Sequence, residues 1–240
     1  MDRRSVTRLP IVAAAILALS LFALLTVYVV ADGHSHWDRW LFRHLYSGES
    51  DWGGLRAPGQ DNPSLNAAEP VLYRLADARA LALLAAAVLV TLVLMKRIRS
   101  AAFFAAAVSV AALVPVLKEL VDRPSPFPMP DDPSFPSGHA TASMAIAAGI
   151  VVVVPPGRWR WVAGIAGAIL VTVVGLAVVT DSGHWPSDVL AGWCLALGWV
   201  AALTALAGHR LEGWPTRNSR GVEPERPTPG PANISSTGSV

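Results

Sequence analysis

One uncharged run decides the fold class: WVAGIAGAILVTVVGLAVV, residues 161–179. A helix needs about 20 predominantly apolar residues to cross a hydrocarbon core about 30 Å thick. This run has that length, and it is apolar on every side, whereas the surface helix of a soluble protein keeps one polar face. The stretch therefore predicts a membrane-spanning helix.

Five further apolar runs share this character, and each is bounded by charged residues, Pro or Gly. Together the runs give six predicted spans, at residues 10–31, 80–95, 101–117, 140–156, 161–179 and 189–207. The second run is short, but Arg79 and Lys96 can extend it because long basic side chains reach the membrane interface. We therefore expect an all-α fold, a six-helix transmembrane bundle within residues 10–211.

The composition supports this class and excludes others. Hydrophobic residues make up 53% of the 240 residues, charged residues make up 15%, and the mean hydropathy is +0.45. A soluble domain carries about 25% charged residues, so too few charges remain here to coat a globule. The single cysteine, Cys194, excludes a disulfide scaffold. The net charge of +2 without a basic stripe argues against nucleic acid as a partner.

Both ends of the chain need separate interpretation. Arg3, Arg4 and Arg8 precede the first run, which is also the pattern of a secretory signal peptide cleaved after Ala31. The run is longer than the usual signal core of about 7–15 residues, so a retained helix is favoured. Residues 212–240 are rich in Pro, Ser, Thr and Gly without an apolar period, which predicts a disordered tail.

The basic residues of the short loops predict the orientation. If all six runs span, one side of the membrane receives Arg3, Arg4, Arg8, Lys96, Arg97, Arg99, Arg158, Arg160, Arg210, Arg217 and Arg220. That side is expected to be cytoplasmic, together with residues 1–9 and 212–240. Residues 32–79, 118–139 and 180–188 then face outward from a multi-pass protein of the cell membrane.

The outward segment at 32–77 carries apolar residues with helical spacing: Trp37, Trp40, Leu41, Phe42, Leu45 and Tyr46. This spacing predicts a short amphipathic helix on the outer membrane surface. His34 and His36 would suit a metal site, but an isolated His-x-His in an interfacial segment is more often without a ligand.

Ionisable residues gather in two outward segments, where they form a candidate anion site. Ser137 is a good N-cap for the fourth span, and Gly138 lets a ligand approach the backbone closely. The free N–H groups of a first helical turn, aided by the helix dipole, bind anions. Lys118 and Arg123 add positive charge nearby.

The second segment contains a candidate nucleophile. His184 and Asp188 are four residues apart, so they share a face if the last helix begins near His184. A carboxylate beside an imidazole fixes its tautomer and raises its basicity, as a nucleophile or general base requires. His139, in the first turn of the fourth span, can donate a proton to a leaving oxygen.

Each of these residues also has an ordinary structural explanation. Ser137 and Ser187 are common N-caps, Lys118 suits an interfacial anchor, and Asp188 complements a helix dipole. Their coincidence at one side of a membrane bundle favours a functional site, because ionisable residues are costly there.

The blocks Pro136-Ser137-Gly138-His139 and His184-Trp185-Pro186-Ser187-Asp188 resemble those of the type 2 phosphatidic acid phosphatases, or lipid phosphate phosphatases. That family shares its site with vanadium haloperoxidases, and the resemblance covers about residues 80–207. It implies a six-span phosphatase with an outward site and no metal or other cofactor. By this resemblance His184 attacks phosphorus and forms a phosphohistidine, Asp188 orients it, and His139 protonates the leaving oxygen. The residues implied to hold the phosphoryl oxygens are Lys118, Arg123, Ser137 and Gly138.

Two positions depart from the family pattern. Seven residues after Lys118 the family has an arginine, but this chain has Ser125, and Arg123 lies two residues earlier as a candidate substitute. Six residues before His184 the family again has an arginine, but this chain has Val178. Neither Ser nor Val can replace a bidentate arginine–phosphate pair.

The sequence therefore predicts a phosphatase acting on a lipid phosphate or diphosphate in the outer leaflet, such as an undecaprenyl diphosphate-like or phosphatidate-like substrate. Two other hypotheses stay open. One is a family member that binds lipid headgroups without turnover, since both clamp arginines are absent. The other is a metal-dependent hydrolase with His139, His184 and Asp188 as ligands.

Overall fold

The computed structural model describes residues 3–32, 36–45, 77–126, 133–180 and 184–207. In these ranges all regular structure is helical, as expected for an all-α fold. The helices are α1 (Arg3–Asp32), α2 (His36–Leu45), α3 (Ala78–Leu94), α4 (Ile98–Val108), α5 (Val114–Val121), α6 (Gly138–Val153), α7 (Arg158–Thr180) and α8 (Pro186–Ala207). His34, Tyr46 and the predicted tail at 212–240 lie outside the described residues.

Four of the described helical segments are long and apolar enough to cross a membrane: Leu9–Ala31, Ile98–Val121, Arg158–Thr180 and Pro186–Ala207. Helices α3 and α6 are apolar but shorter. The segment Ile98–Val121 comprises α4, a 3-10 turn at Ser109–Leu113, and α5. Pro115 is near the start of α5. Proline lacks the backbone N–H that an uninterrupted α-helix would use, which explains the change of helix type before it.

Helix α6 lies at the centre of the bundle, in contact with α4, α7 and α8, while α1 packs along α8. Gly192 of α8 allows this helix to approach the start of α6 closely. A Cβ atom added there would lie 2.8 Å from the carbonyl oxygen of Ser137 and 2.9 Å from Thr141 Oγ1. The first turns of α6 and α8 are therefore held against each other, and both carry predicted site residues.

Helix α2 forms where the sequence predicted an amphipathic helix, but one of its faces docks on the protein instead of resting on a membrane surface. Phe42 is 1% exposed, and its ring centroid lies 5.4 Å from that of Trp185. Asp38, one turn earlier, is fully buried. Trp40, by contrast, is 61% exposed.

Candidate active site

Ser137 caps α6 as predicted and also ties this helix to α8. Its Oγ accepts a hydrogen bond from the backbone N–H of Ala140 at 3.4 Å, and its carbonyl accepts one from Thr141. Its own N–H donates to the carbonyl oxygen of Asp188 at 3.0 Å. The backbone N–H of Ser137 is thus engaged in the fold, while Gly138 and His139 are half-buried in the first turn of α6.

His184 and Asp188 meet, although not because they share a helical face. Helix α8 begins at Pro186, two residues after His184, and proline suits the first helical position. Asp188 is the third residue of α8, and its Oδ2 accepts the N–H of Trp185 at 2.9 Å, as the side chain at the third helical position does in a capping box. Because the Asp188 side chain reaches back toward Trp185, its Oδ2 lies 3.6 Å from His184 Nδ1.

The separation of 3.6 Å is longer than a hydrogen bond. Among the described residues, His184 Nδ1 has no hydrogen-bond partner. Catalytic hydrogen bonds are often long in substrate-free sites and shorten when the reacting complex forms. The described geometry therefore leaves the imidazole poised beside the carboxylate, a few tenths of an ångström from pairing with it.

Lys118, from α5, lies on the same side of the bundle as the two histidines. The charge of Lys118 and the imidazole of His184 both disfavour the protonated, positively charged form of His139. The carboxylate of Asp77 favours that form. Asp77 caps α3, because its Oδ1 accepts the N–H of Arg79 at 2.8 Å. The structure thus brings the predicted residues Lys118, His139 and His184 together.

Arg123 lies behind the His–Asp pair. It is 2% exposed, and its Nη1 donates to both Asp188 Oδ1 and Ser187 Oγ, the latter at 2.6 Å. Its Nη2 donates to Asp38 Oδ2 at 2.8 Å, and its guanidinium lies 5.5 Å from the ring centre of Trp185. This guanidinium therefore donates hydrogen bonds to two carboxylates and a hydroxyl of the protein.

Asp38 is a site residue that sequence reasoning missed. Its Oδ1 accepts the backbone N–H of Ser187 at 3.0 Å, and its Oδ2 accepts the hydroxyl of Ser187 at 2.6 Å. Ser187, which the sequence suggested as an N-cap, is the second residue of α8 and bridges Asp38 and Arg123. The available signal was an acidic residue on the face of α2 that carries Phe42.

The two positions that depart from the family pattern, Ser125 and Val178, provide no guanidinium that could bind phosphate. Val178 is 1% exposed and packs in the core, and its carbonyl oxygen accepts the N–H of His184 at 3.2 Å. Ser125 is half-buried. Among the described residues, no group of three or more His, Cys, Asp or Glu side chains is placed to hold a metal ion.

Residues 99–211 match the family model described as PAP2 superfamily. This range includes both motif blocks and every predicted site residue. The resemblance seen in the sequence is thereby confirmed for the part of the chain that contains both motif blocks.

Three curated proteins are similar to parts of this chain. An undecaprenyl-diphosphatase of Sulfolobus acidocaldarius is 39% identical over 77 residues, which are 32% of this chain and 34% of that protein. A lipid A 1-phosphatase of Rhizobium etli is 37% identical over 102 residues, 39% of this chain and 41% of that protein. One of Rhizobium johnstonii is 42% identical over 91 residues, 34% of each protein. The alignments thus span between a third and about two fifths of these relatives.

A solved PAP2 structure shares the fold. It is the crystal structure of a transmembrane PAP2 type phosphatidylglycerolphosphate phosphatase from Bacillus subtilis. The TM-score is 0.60 at 19% sequence identity, and the match covers 80% of this chain and 94% of that one. With four candidate spans and these similarities, the chain is a membrane protein.

Proposed function

We propose that this protein is a membrane phosphatase that hydrolyses a lipid phosphate or diphosphate. The observation that carries the proposal is the position of His184, whose Nδ1 lies 3.6 Å from the buried carboxylate of Asp188, with His139 and Lys118 nearby. The curated relatives are named for undecaprenyl diphosphate and for the 1-phosphate of lipid A, which are both phosphorylated lipids. An undecaprenyl diphosphate-like or phosphatidate-like substrate fits this pattern.

In the proposed reaction, Nε2 of His184 attacks phosphorus while the bond to the leaving oxygen breaks. His139 gives its proton to that oxygen, so the lipid leaves as a neutral alcohol, or as a less charged phosphate from a diphosphate. Asp188 accepts the Nδ1 proton in a hydrogen bond, which keeps the lone pair on Nε2 and stabilises the positive ring of the phosphohistidine. Water then attacks the same phosphorus while the bond between phosphorus and Nε2 breaks, which releases inorganic phosphate and the free imidazole, and His139 takes up the proton that the water gives up.

Positive charge and backbone donors stabilise the phosphoryl oxygens in this scheme. Lys118 and the first turn of α6 at Gly138 and His139 are the groups on the side of the reacting imidazole. Ser137 contributes by capping this turn. For Arg123 we propose a task other than direct phosphate binding, since its donors are engaged by Asp188 and Asp38.

The proposed topology has six spans, cytoplasmic residues 1–9 and 212–240, and a site that faces outward from the cell membrane. Support comes from the end of the bundle opposite the site. There, Arg97 donates to the carbonyl oxygen of Val153 at 2.7 Å, and Arg160 donates to that of Val154 at 2.8 Å. This basic end is the one that the charge bias of membrane proteins places in the cytoplasm.

Binding of a lipid headgroup without turnover is the second candidate function. The burial of Val178 where the family has an arginine favours it, because one phosphate clamp is absent. Phosphate release by the purified protein separates the two functions.

The test uses detergent-solubilised wild-type protein with undecaprenyl diphosphate, phosphatidate and phosphatidylglycerol phosphate, each with and without a chelator. The expected result is phosphate release from at least one lipid, unchanged by the chelator and lost in the His184→Ala variant. Tight binding of these lipids without release would establish the headgroup-binding function instead. Loss of release in the chelator, restored by a divalent cation, would favour the metal-dependent hydrolase.

A further inference from the structure

We infer that Asp38 is a positioning residue for the catalytic pair. It holds Arg123 and Ser187, and through Arg123 it fixes the orientation and charge of Asp188, the partner of His184. The inference rests on the proposed function and adds to it a residue from outside the PAP2 match, which begins at residue 99.

The contacts of Asp38 are those of a fixed support. The side chain is fully buried, and it accepts hydrogen bonds from three donors on two segments. One donor is the N–H of Ser187, which belongs to the first turn of α8 and has no partner within that helix. A residue 149 positions earlier in the chain therefore helps to cap the helix that carries Asp188.

The charges of the cluster explain why a second carboxylate is needed. Arg123 donates to Asp188 and to Asp38. With Asp188 alone, the guanidinium would offset the negative charge that stabilises a positively charged His184 during phosphoryl transfer. Asp38 balances the guanidinium, so the cluster keeps one net negative charge for the imidazole. On the side where the substrate is proposed to bind, the groups that interact electrostatically with His139 are Lys118, Asp77 and His184.

Packing keeps Asp38 in this place. Phe42, one turn further along α2, contacts Trp185 with ring centroids 5.4 Å apart. The indole Nε1 of Trp185 donates to the carbonyl oxygen of Pro124 at 3.1 Å, and its ring lies beside the Arg123 guanidinium. Helix α2 is thus attached to both chain segments that build the catalytic cluster, which is the arrangement that holds reacting groups in register.

The first variant is Asp38→Asn, which removes one negative charge with almost no change of shape. We expect kcat to fall by about tenfold or more, as is common when a residue supporting a reacting group is changed, with KM within about twofold because Asp38 touches no substrate. Asp122→Asn is the matched control. Asp122 is exposed and has φ 47°, which asparagine adopts readily, so kcat should stay within about twofold of wild type.

A double variant distinguishes positioning from a general loss of stability. If Asp38 acts through Asp188, then adding Asp38→Asn to Asp188→Asn should lower the residual kcat by less than about twofold. A purely structural role would make the two effects multiply in full. Full multiplication, or wild-type kcat in folded Asp38→Asn, would overturn the inference.

If thermal unfolding in detergent shows that Asp38→Asn does not fold, the Ser187→Ala variant tests the positioning role of Asp38 in its place. It keeps all the charges and removes the hydroxyl that bridges Asp38 and Arg123. The inference expects a several-fold lower kcat with KM unchanged, and wild-type kcat would contradict it. Inactive wild-type protein would refute the proposed function, and this inference with it, whereas active wild type with insensitive variants would refute the inference alone.

Discussion

Arg123 and Lys118 are both basic, but their surroundings assign them different tasks. Lys118 is half-buried in the last turn of α5, close enough to His139 to interact with it electrostatically. Arg123 is 2% exposed and bonded to two carboxylates. The kinetic consequences of removing each residue should therefore differ.

Lys118→Ala should raise KM by about tenfold or more, since a hydrogen bond to a charged group is worth about 1.5–3 kcal/mol. Arg123→Ala should instead lower kcat or the yield of folded protein, because it leaves Asp38 and Asp188 buried without their cation. Steady-state kinetics on the best lipid of the substrate panel measure both variants. A folded Arg123→Ala protein with normal kcat and a raised KM would show that Arg123 binds phosphate directly.

Removal of the proposed proton donor, His139, should affect different substrates unequally. His139→Gln should reduce hydrolysis of lipid phosphates far more than hydrolysis of an aryl phosphate, because only a poor leaving group needs a proton in the transition state. Initial rates with both substrates, at equal enzyme concentration, measure the ratio. Equal losses on the two substrates would argue against His139 as the acid.

The grouping of residues that stand in local motifs was predictable, whereas a contact between distant segments was not. His139, His184, Asp188 and Lys118 stand in short motifs, and their expected grouping needs only neighbouring helix ends. Asp38 acquires its partners when α2 docks on segments far along the chain, and the sequence showed only that it shares a helical face with Phe42. The same docking gives Arg123 its carboxylate partners.

At the scale of elements, the contact between α6 and α8 sets the geometry of the site. Gly192 lies one turn after Asp188, and an added Cβ atom would lie 2.8 Å from the Ser137 carbonyl oxygen and 3.0 Å from the Thr141 nitrogen. These are backbone atoms, which cannot move aside without shifting the first turn of α6.

Gly192→Ala should therefore destabilise the protein by about 1–3 kcal/mol and lower kcat, because overpacking pushes the two helix starts apart. Gly164→Ala in α7 is the control, since nothing lies within 4 Å of a Cβ atom there. Thermal unfolding in detergent and turnover are measured for both variants. Equal stability and activity of the two would contradict the close-contact argument.

The positions of the apolar helices follow from hydropathy, but their exact ends do not. Local chemistry decides these ends: Pro186 starts α8 two residues after His184, and Pro115 accompanies the change from a 3-10 turn to α5. The docking of α2 was missed for a different reason. An amphipathic face fits a protein surface and a membrane surface equally well by its periodicity.

At the scale of the whole molecule, the account predicts a fixed orientation. Cysteines introduced at Gln60 and Gly230, in a Cys194→Ala background, should be labelled by an impermeant reagent from opposite sides of the membrane. The prediction follows from six spans with the basic loops inside. Labelling of both cysteines from one side would refute the orientation, and so would cleavage after Ala31.

The central claim is that His184 carries the phosphoryl group, and trapping that intermediate tests it most directly. Wild-type protein is mixed with a lipid phosphate radiolabelled at phosphorus and quenched in alkali, where phosphohistidine survives. The account predicts label on the protein that is lost in acid, and neither label nor turnover in folded His184→Ala. Robust phosphate release by His184→Ala would contradict the mechanism.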